Sequence, residues 1–398
     1  MKIPAYNTDW AFNAALRGRV ARWQRQQLVG AEQRAAIEAA YPLEYYQPAW
    51  PLRVGLFVFT CIGLALASGF SLMITGVNSP FGAGILFCAA CFVLLEFLIK
   101  EQRFYHAGVD NALLYSGLAS AAGLIYYAFS EYLWPLRGGY HLDLGASYLV
   151  LLLVLALLAA AALRYADALV TAAACLAALL LVALFGLNSQ FGQMLLPFIM
   201  MAAAGGLLLL YRRLAQRLAG TYLADYYANC LLTLKVLGLV VLYLAGNYLV
   251  VREGNAELHH QFTSSQIPFA PVFYALTAGI PLVYIVLGLR RADRTLLLLG
   301  LLALAFSLFT LRHYRSLLPP EVAAVAAGVL LTALASALLR ALRPARFGLT
   351  SLPDDEPRHF NLENLIQAQT AHAPDAPSTG GFEFGGGHSG GGGATGQF

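Results

Sequence analysis

Residues 146–186 read ASYLVLLLVLALLAAAALRYADALVTAAACLAALLLVALFG. Two long apolar runs flank one charged break, Arg164-Tyr165-Ala166-Asp167. A helix needs roughly 20 apolar residues to cross a hydrocarbon core about 30 Å thick. No water reaches the backbone there, so only a segment that closes its own hydrogen bonds is tolerated. The stretch therefore reads as two membrane spans folded into a tight hairpin, because the charged break rules out one continuous buried helix.

The same pattern extends in both directions. Apolar runs occupy 52–74, 81–99, 111–129, 146–163, 168–186, 194–211, 228–250, 270–289, 295–311 and 322–339. The fold class expected is an all-α polytopic transmembrane helix bundle of about 10 spans (transmembrane domain 51–342). Composition agrees: 59% of residues are hydrophobic and 12% charged, against about 25% charged in a soluble domain. The net charge of +4 is spread over loops, which gives no basic patch for nucleic acid. All five cysteines, Cys61, Cys88, Cys91, Cys175 and Cys230, fall in or beside apolar runs. There they act as small hydrophobes and imply no disulfide framework.

The hairpin linker also has a partner. Leu163-Arg164-Tyr165-Ala166-Asp167 joins spans four and five, and Leu289-Arg290-Arg291-Ala292-Asp293 joins spans eight and nine. Gly76-Val77-Asn78-Ser79-Pro80-Phe81-Gly82 follows the first span and Gly186-Leu187-Asn188-Ser189-Gln190-Phe191-Gly192 follows the fifth, with five of seven positions identical. Asn111-Ala112-Leu113-Leu114 opens the third span and Asn229-Cys230-Leu231-Leu232 the seventh. Each match lies four spans apart and in order. The expectation is a four-helix unit present twice with the same topology, followed by a half copy. An even-numbered unit repeats without inversion, unlike the inverted repeats of many transporters.

Lys and Arg in short loops set orientation. With the N-terminus in the cytosol, nine fall inside (Lys100, Arg103, Arg164, Arg212, Arg213, Arg217, Arg290, Arg291, Arg294) and four outside (Arg137, Arg252, Arg312, Arg315). Both termini are expected in the cytosol, the chain being multi-pass in a bacterial inner membrane. No signal-peptide pattern opens the sequence.

Residues 1–50 read as a cytosolic amphipathic helical hairpin. Asn7, Thr8 and Asp9 offer N-caps, Phe12, Leu16, Val20 and Trp23 recur at helical spacing, Gly30 breaks the run and Pro42 stops the second helix. Residues 343–398 read as a flexible Gly-rich cytosolic tail, with ten glycines in 379–398. The lipid bilayer is the expected partner, and the hairpin and tail are the places for a protein partner.

Few groups could carry chemistry. Glu96 and Lys235 are ionisable residues inside spans, which makes them a functional hypothesis by default. They read either as an intramembrane pair lining a cavity, or as snorkelling side chains, Glu96 beside Lys100. Asn111, Asn229 and Asn247 are candidates for interhelical amide bonds. Cys88 and Cys91 have CxxC spacing but lie at lipid depth, and the adjacent His259 and His260 cannot face one metal together on a helix. No catalytic residue, metal ligand or cofactor site is expected, and no phosphate-binding, zinc-protease or serine-hydrolase motif is present.

Trp23 on the first short helix, the Leu28-Val29-Gly30 break, Glu32-Gln33 and Ile37 resemble the opening hairpin of a family of uncharacterised bacterial multi-pass membrane proteins. The resemblance covers about 35 residues and implies an integral membrane protein with no assigned activity. The reading is a non-catalytic membrane scaffold or sensor. The alternative is a transporter of a small or lipid-like solute, with its cavity between the two four-helix units.

Overall fold

The computed structural model describes residues 4–75, 80–133, 144–259, 261, 264, 266–314 and individual positions between 322 and 340. Among them no strand forms. Thirteen α-helices follow one another: α1 Thr8–Arg25, α2 Ala31–Ala40, α3 Trp50–Thr75, α4 Pro80–Lys100, α5 Val109–Ala128, α6 Leu144–Tyr165, α7 Ala168–Leu187, α8 Gln190–Leu218, α9 Leu223–Tyr226, α10 Ala228–Gly246, α11 Tyr248–Leu258, α12 Ala270–Arg290 and α13 Arg294–Tyr314. A π-helical turn, Phe129–Leu133, extends α5.

Nine of these helices, among the described residues, are long and apolar enough to cross a membrane. They match the first nine expected spans. The tenth, 322–339, the stretch 76–79 of one repeat match and the 343–398 tail lie largely or wholly outside the described residues. The outer faces carry their largest apolar side chains in the open: Phe59, Leu66 and Met73 on α3 are 76%, 72% and 78% exposed. Water would not tolerate so continuous an apolar surface on a monomer. Lipid does, and the chain is a multi-pass membrane protein.

The expected repeat reappears as a packing order. In the first unit α3 rests on α4 and α5, α4 packs most heavily on α5, and α6 touches α5. In the second unit α7, α8, α10 and α12 take the same partners in the same order. The units meet through the α6–α7 hairpin, and α12 continues into α13 through an equally close one.

The sixth and seventh spans differ most from the sequence reading; the sixth runs from Gln190 to Leu218, past the expected 194–211 at both ends. The seventh span stops at Gly246, not residue 250, because Asn247 adopts an extended backbone (φ −82°, ψ 126°) and caps α11 by accepting from the Leu249 and Val250 amides. An Asn side chain competes with the helical ladder in this way. Much of the expected outer loop is therefore helix, with the Arg252 guanidinium 4.4 Å from the Tyr314 ring centroid.

The opening residues form two helices, α1 and α2, braced on each other, and of the expected apolar face Phe12, Leu16, Val20 and Trp23 only Val20 is buried, Trp23 being 40% exposed. Asn7 caps α1, the Gly30 amide donates to Gln33 Oε1 at 3.0 Å, Arg17 donates to the Tyr41 carbonyl at 2.9 Å, and Arg34 pairs with Glu38 at 2.6 Å. The hairpin is also docked: Tyr6, Trp10, Ala11 and Val20 are buried, α1 packs on α9, and Arg19 pairs with Asp225. Helix α1 thus runs along one end of the bundle, called here the hairpin side.

Candidate functional site

The site grows from the two repeated linkers. At the first, α6 ends at Tyr165, Ala166 turns the chain in the left-handed region (φ 50°), and Asp167 caps α7 by accepting from the Val170 amide at 2.9 Å. At the second, Ala292 has φ 51° and Asp293 Oδ1 accepts from the Leu296 amide at 3.2 Å. A left-handed alanine costs about 1–2 kcal/mol; the aspartate caps and the packed hairpins offset it.

The second oxygen of each aspartate reaches the third helix of its own unit. Tyr115 on α5 donates to Asp167 Oδ2 at 2.9 Å. Lys235 on α10 donates to Asp293 Oδ2 at 2.5 Å. Lys235 thus has its partner in the linker 58 residues away. Glu96 finds its own in the other linker: Arg164 Nη2 lies 2.6 Å and Nε 3.0 Å from Oε1, and the Tyr165 hydroxyl donates to the same oxygen at 3.0 Å. The Lys100 ammonium sits 3.2 Å from Oε2. Glu96 and Lys235 therefore do not form a pair with each other. Each instead fastens one of the two linkers.

The three asparagines have three fates. Asn247 bonds between helices, donating to Tyr243 at 2.9 Å and to Thr310 of α13 at 3.2 Å. Asn111 stays within its helix, its amide 3.5 Å from the Tyr115 hydroxyl. Asn229 is exposed. Cys88 donates weakly to the Gly117 carbonyl at 3.6 Å. His259 contacts the Asn255 carbonyl, while His260 is outside the described residues.

Sequence reading missed Tyr6 and Asp110. The Asp110 carboxylate is fully buried and accepts from the Ala107 amide at 2.8 Å, the Gly108 amide at 3.1 Å and the Tyr6 hydroxyl at 2.7 Å. Ala5 adds a backbone bond to the Arg164 carbonyl at 2.7 Å, and Tyr226 donates to the same carbonyl at 2.8 Å. The segment before α1 is thereby plugged into the first linker. Burial, reinforced by the neighbouring Asp110 carboxylate, pushes the Tyr6 hydroxyl well above its ordinary value, so it remains a donor. Burial also pushes Tyr105, whose ring meets Tyr6 edge-on, up to about 12.

Beneath that plug lies a cleft of about 1150 Å³. One wall is α6 (Leu155, Ala159), the opposite walls are α7 (Ala174, Ala178) and α8 (Leu207, Leu210), α10 contributes Leu234, and residues 4–10 form the cover. Helix α6 closes the first unit and the other walls belong to the second, so the cleft lies at their junction. Ordinary small-molecule sites run to about 300–1,000 Å³; this one is larger. Its depth is alkyl, and its polar groups, among them Asn7, Thr8, Asp9 and Lys100, gather at the hairpin side. Alkyl depth with a polar mouth suits an amphiphile. It offers no arranged nucleophile and base.

Comparison with known protein families, with curated proteins and with solved structures gives no match.

Proposed function

We propose that the protein is a non-catalytic carrier or receptor for a lipid-like amphiphile, which it holds in the cleft between its two four-helix units. The observation that carries this reading is the cleft itself: apolar through its depth, polar at one end, and walled by helices of both units. The residues before α1 act as its cover, held by the Tyr6–Asp110 and Ala5–Arg164 bonds. A scaffold or sensor role would rest on the hairpin or the tail; within the hairpin α1 is committed to the bundle and α2 is without a buried residue, and the tail lies outside the described residues. The proposal includes a bacterial inner membrane with the hairpin in the cytosol. Its support is the bias of Lys and Arg toward that side and the resemblance of the opening hairpin to the bacterial family described above.

The test is photo-labelling of the full chain in membranes with a fatty acid bearing a diazirine along its alkyl chain. Labelled peptides are expected from α7 and α8. Ala174→Trp combined with Ala178→Trp fills the cleft and should lower labelling of those peptides several-fold, leaving labelling of the lipid-facing α3 unchanged. Equal labelling in both proteins would overturn the reading.

A further inference from the structure

The mouth of the cleft carries two opposite charges that the bundle does not join. Lys100 and Asp9 both line it. Asp9, in the first turn of α1, is exposed and makes no ion pair among the described residues. Lys100 lies 3.2 Å from Glu96, and its side chain is 65% exposed. Glu96 already takes two donors from Arg164 and the Tyr165 hydroxyl. One carboxylate thus serves two cations, and that group keeps one positive charge, which the Asp9 carboxylate equals in size and opposes in sign. A lone anion in the mouth would be drawn by Lys100 and repelled by Asp9, and a lone cation the reverse. A head with one charge of each sign is attracted by both.

Depth sets the other end of the ligand. The apolar lining runs to Leu155 on α6 and Ala178 on α7, each ten residues from its helix's end at the first linker. That is roughly 15 Å at 1.5 Å per residue, half of a hydrocarbon core about 30 Å thick. Leu163 on α6 and Leu210 on α8 line the cleft while 57% and 47% exposed, so its side is open to lipid. The slot takes chains that reach the bilayer midplane and stop there.

We propose that the occupant of the cleft is a zwitterionic phospholipid, its acyl chains against Ala174 and Ala178, its phosphate at Lys100 and its ammonium at Asp9. The inference rests on the amphiphile reading above and adds the headgroup and the chain length to it. An acid in the first turn also suits the positive end of the α1 dipole. A role confined to that helix would give no preference among lipids.

The experiment uses the full chain, purified in detergent, stripped of lipid and re-equilibrated with vesicles of equal parts phosphatidylethanolamine and phosphatidylglycerol with the same acyl chains. Retained lipid is counted by mass spectrometry after re-purification. The wild type should retain phosphatidylethanolamine about threefold over phosphatidylglycerol, the scale of one exposed ion pair. Asp9→Asn should bring that ratio near one, Asp9→Glu should keep the preference, and Asp9→Lys should turn it toward phosphatidylglycerol. Lys100→Gln should lower retention of both lipids, because both carry the phosphate; unchanged retention there overturns the placing of the phosphate. A wild type that retains both lipids equally or favours phosphatidylglycerol, or an Asp9→Asn variant that keeps the preference, overturns the headgroup assignment and leaves the amphiphile reading standing. A wild type that retains no lipid overturns both. A benzophenone carried on Leu214→Cys that cross-links to residues 343–398 in place of lipid overturns the assignment in favour of that segment.

Discussion

The two linkers match at four of five positions and each turns on a left-handed alanine, yet they are closed by different chemistry. At the first, Asp167 receives a neutral hydroxyl from Tyr115, and the residue is only 4% exposed. At the second, Asp293 receives an ammonium from Lys235, and its side chain is 25% exposed. Desolvating two full charges can cost more than their attraction returns. A neutral donor therefore suits the closed joint, and an ion pair suits the one that water reaches. The fold repeats the position of the acceptor and lets local burial choose the donor. Among the described residues only the first joint is also roofed, by Tyr6 and Ala5, and the cleft opens beneath that roof.

The largest effect is expected at Asp110. Asp110→Ala leaves two buried amides and the Tyr6 hydroxyl without an acceptor, at a cost of about 3–5 kcal/mol. Thermal unfolding in detergent should show it, and a shift no larger than that of an exposed surface variant would refute the account. Next come the joints themselves. Asp167→Ala removes a helix cap and the Tyr115 acceptor at once, about 2–3 kcal/mol. Asp293→Ala should cost less, about 1–2 kcal/mol, because the freed Lys235 can extend toward water. If the two variants melt in the opposite order, the burial argument separating the joints is wrong.

Smaller still is Tyr6→Phe, about 1 kcal/mol for one hydrogen bond to a carboxylate whose backbone donors remain. A spin label at Thr8→Cys should gain mobility in that variant while α7 is undisturbed. The last prediction concerns pH. A folded-state pKa raised above the unfolded value gives stability that is complete below the ordinary tyrosine value of about 10. That stability is lost as pH climbs through the raised value. Mobility of the Thr8→Cys label should therefore rise above about pH 10, and the step should vanish when Tyr6→Phe is added. A step in the opposite direction would exclude Tyr6 as the latch.

Most of the span positions were legible, because lipid imposes a length and a composition that a single sequence displays: α7 was read as 168–186 and is found at Ala168–Leu187. The break at Asn247 was not. Tyr248 to Val251 continue the apolar run, and the extended backbone depends on Tyr243 and on Thr310, 63 residues on. Glu96 and Lys235 stood out as charges in oil, but their partners lie 68 and 58 residues away in linkers. The linkers had been matched only as a repeat. Asp110 lies in the first turn of α5, a favourable place for any acid, and nothing in its local sequence marks it as buried. The cleft depends on how helices splay, a property that apolar spacing does not encode.

The single left-handed alanine at each joint has a mechanical consequence. With Tyr165 ending one helix and Ala168 beginning the next, the tether between the two halves has no slack. Widening of the cleft between α6 and α7 would swing the two helices as whole rods about Ala166. An insertion of even one residue there would change how the rods meet and slacken the stroke of both halves together.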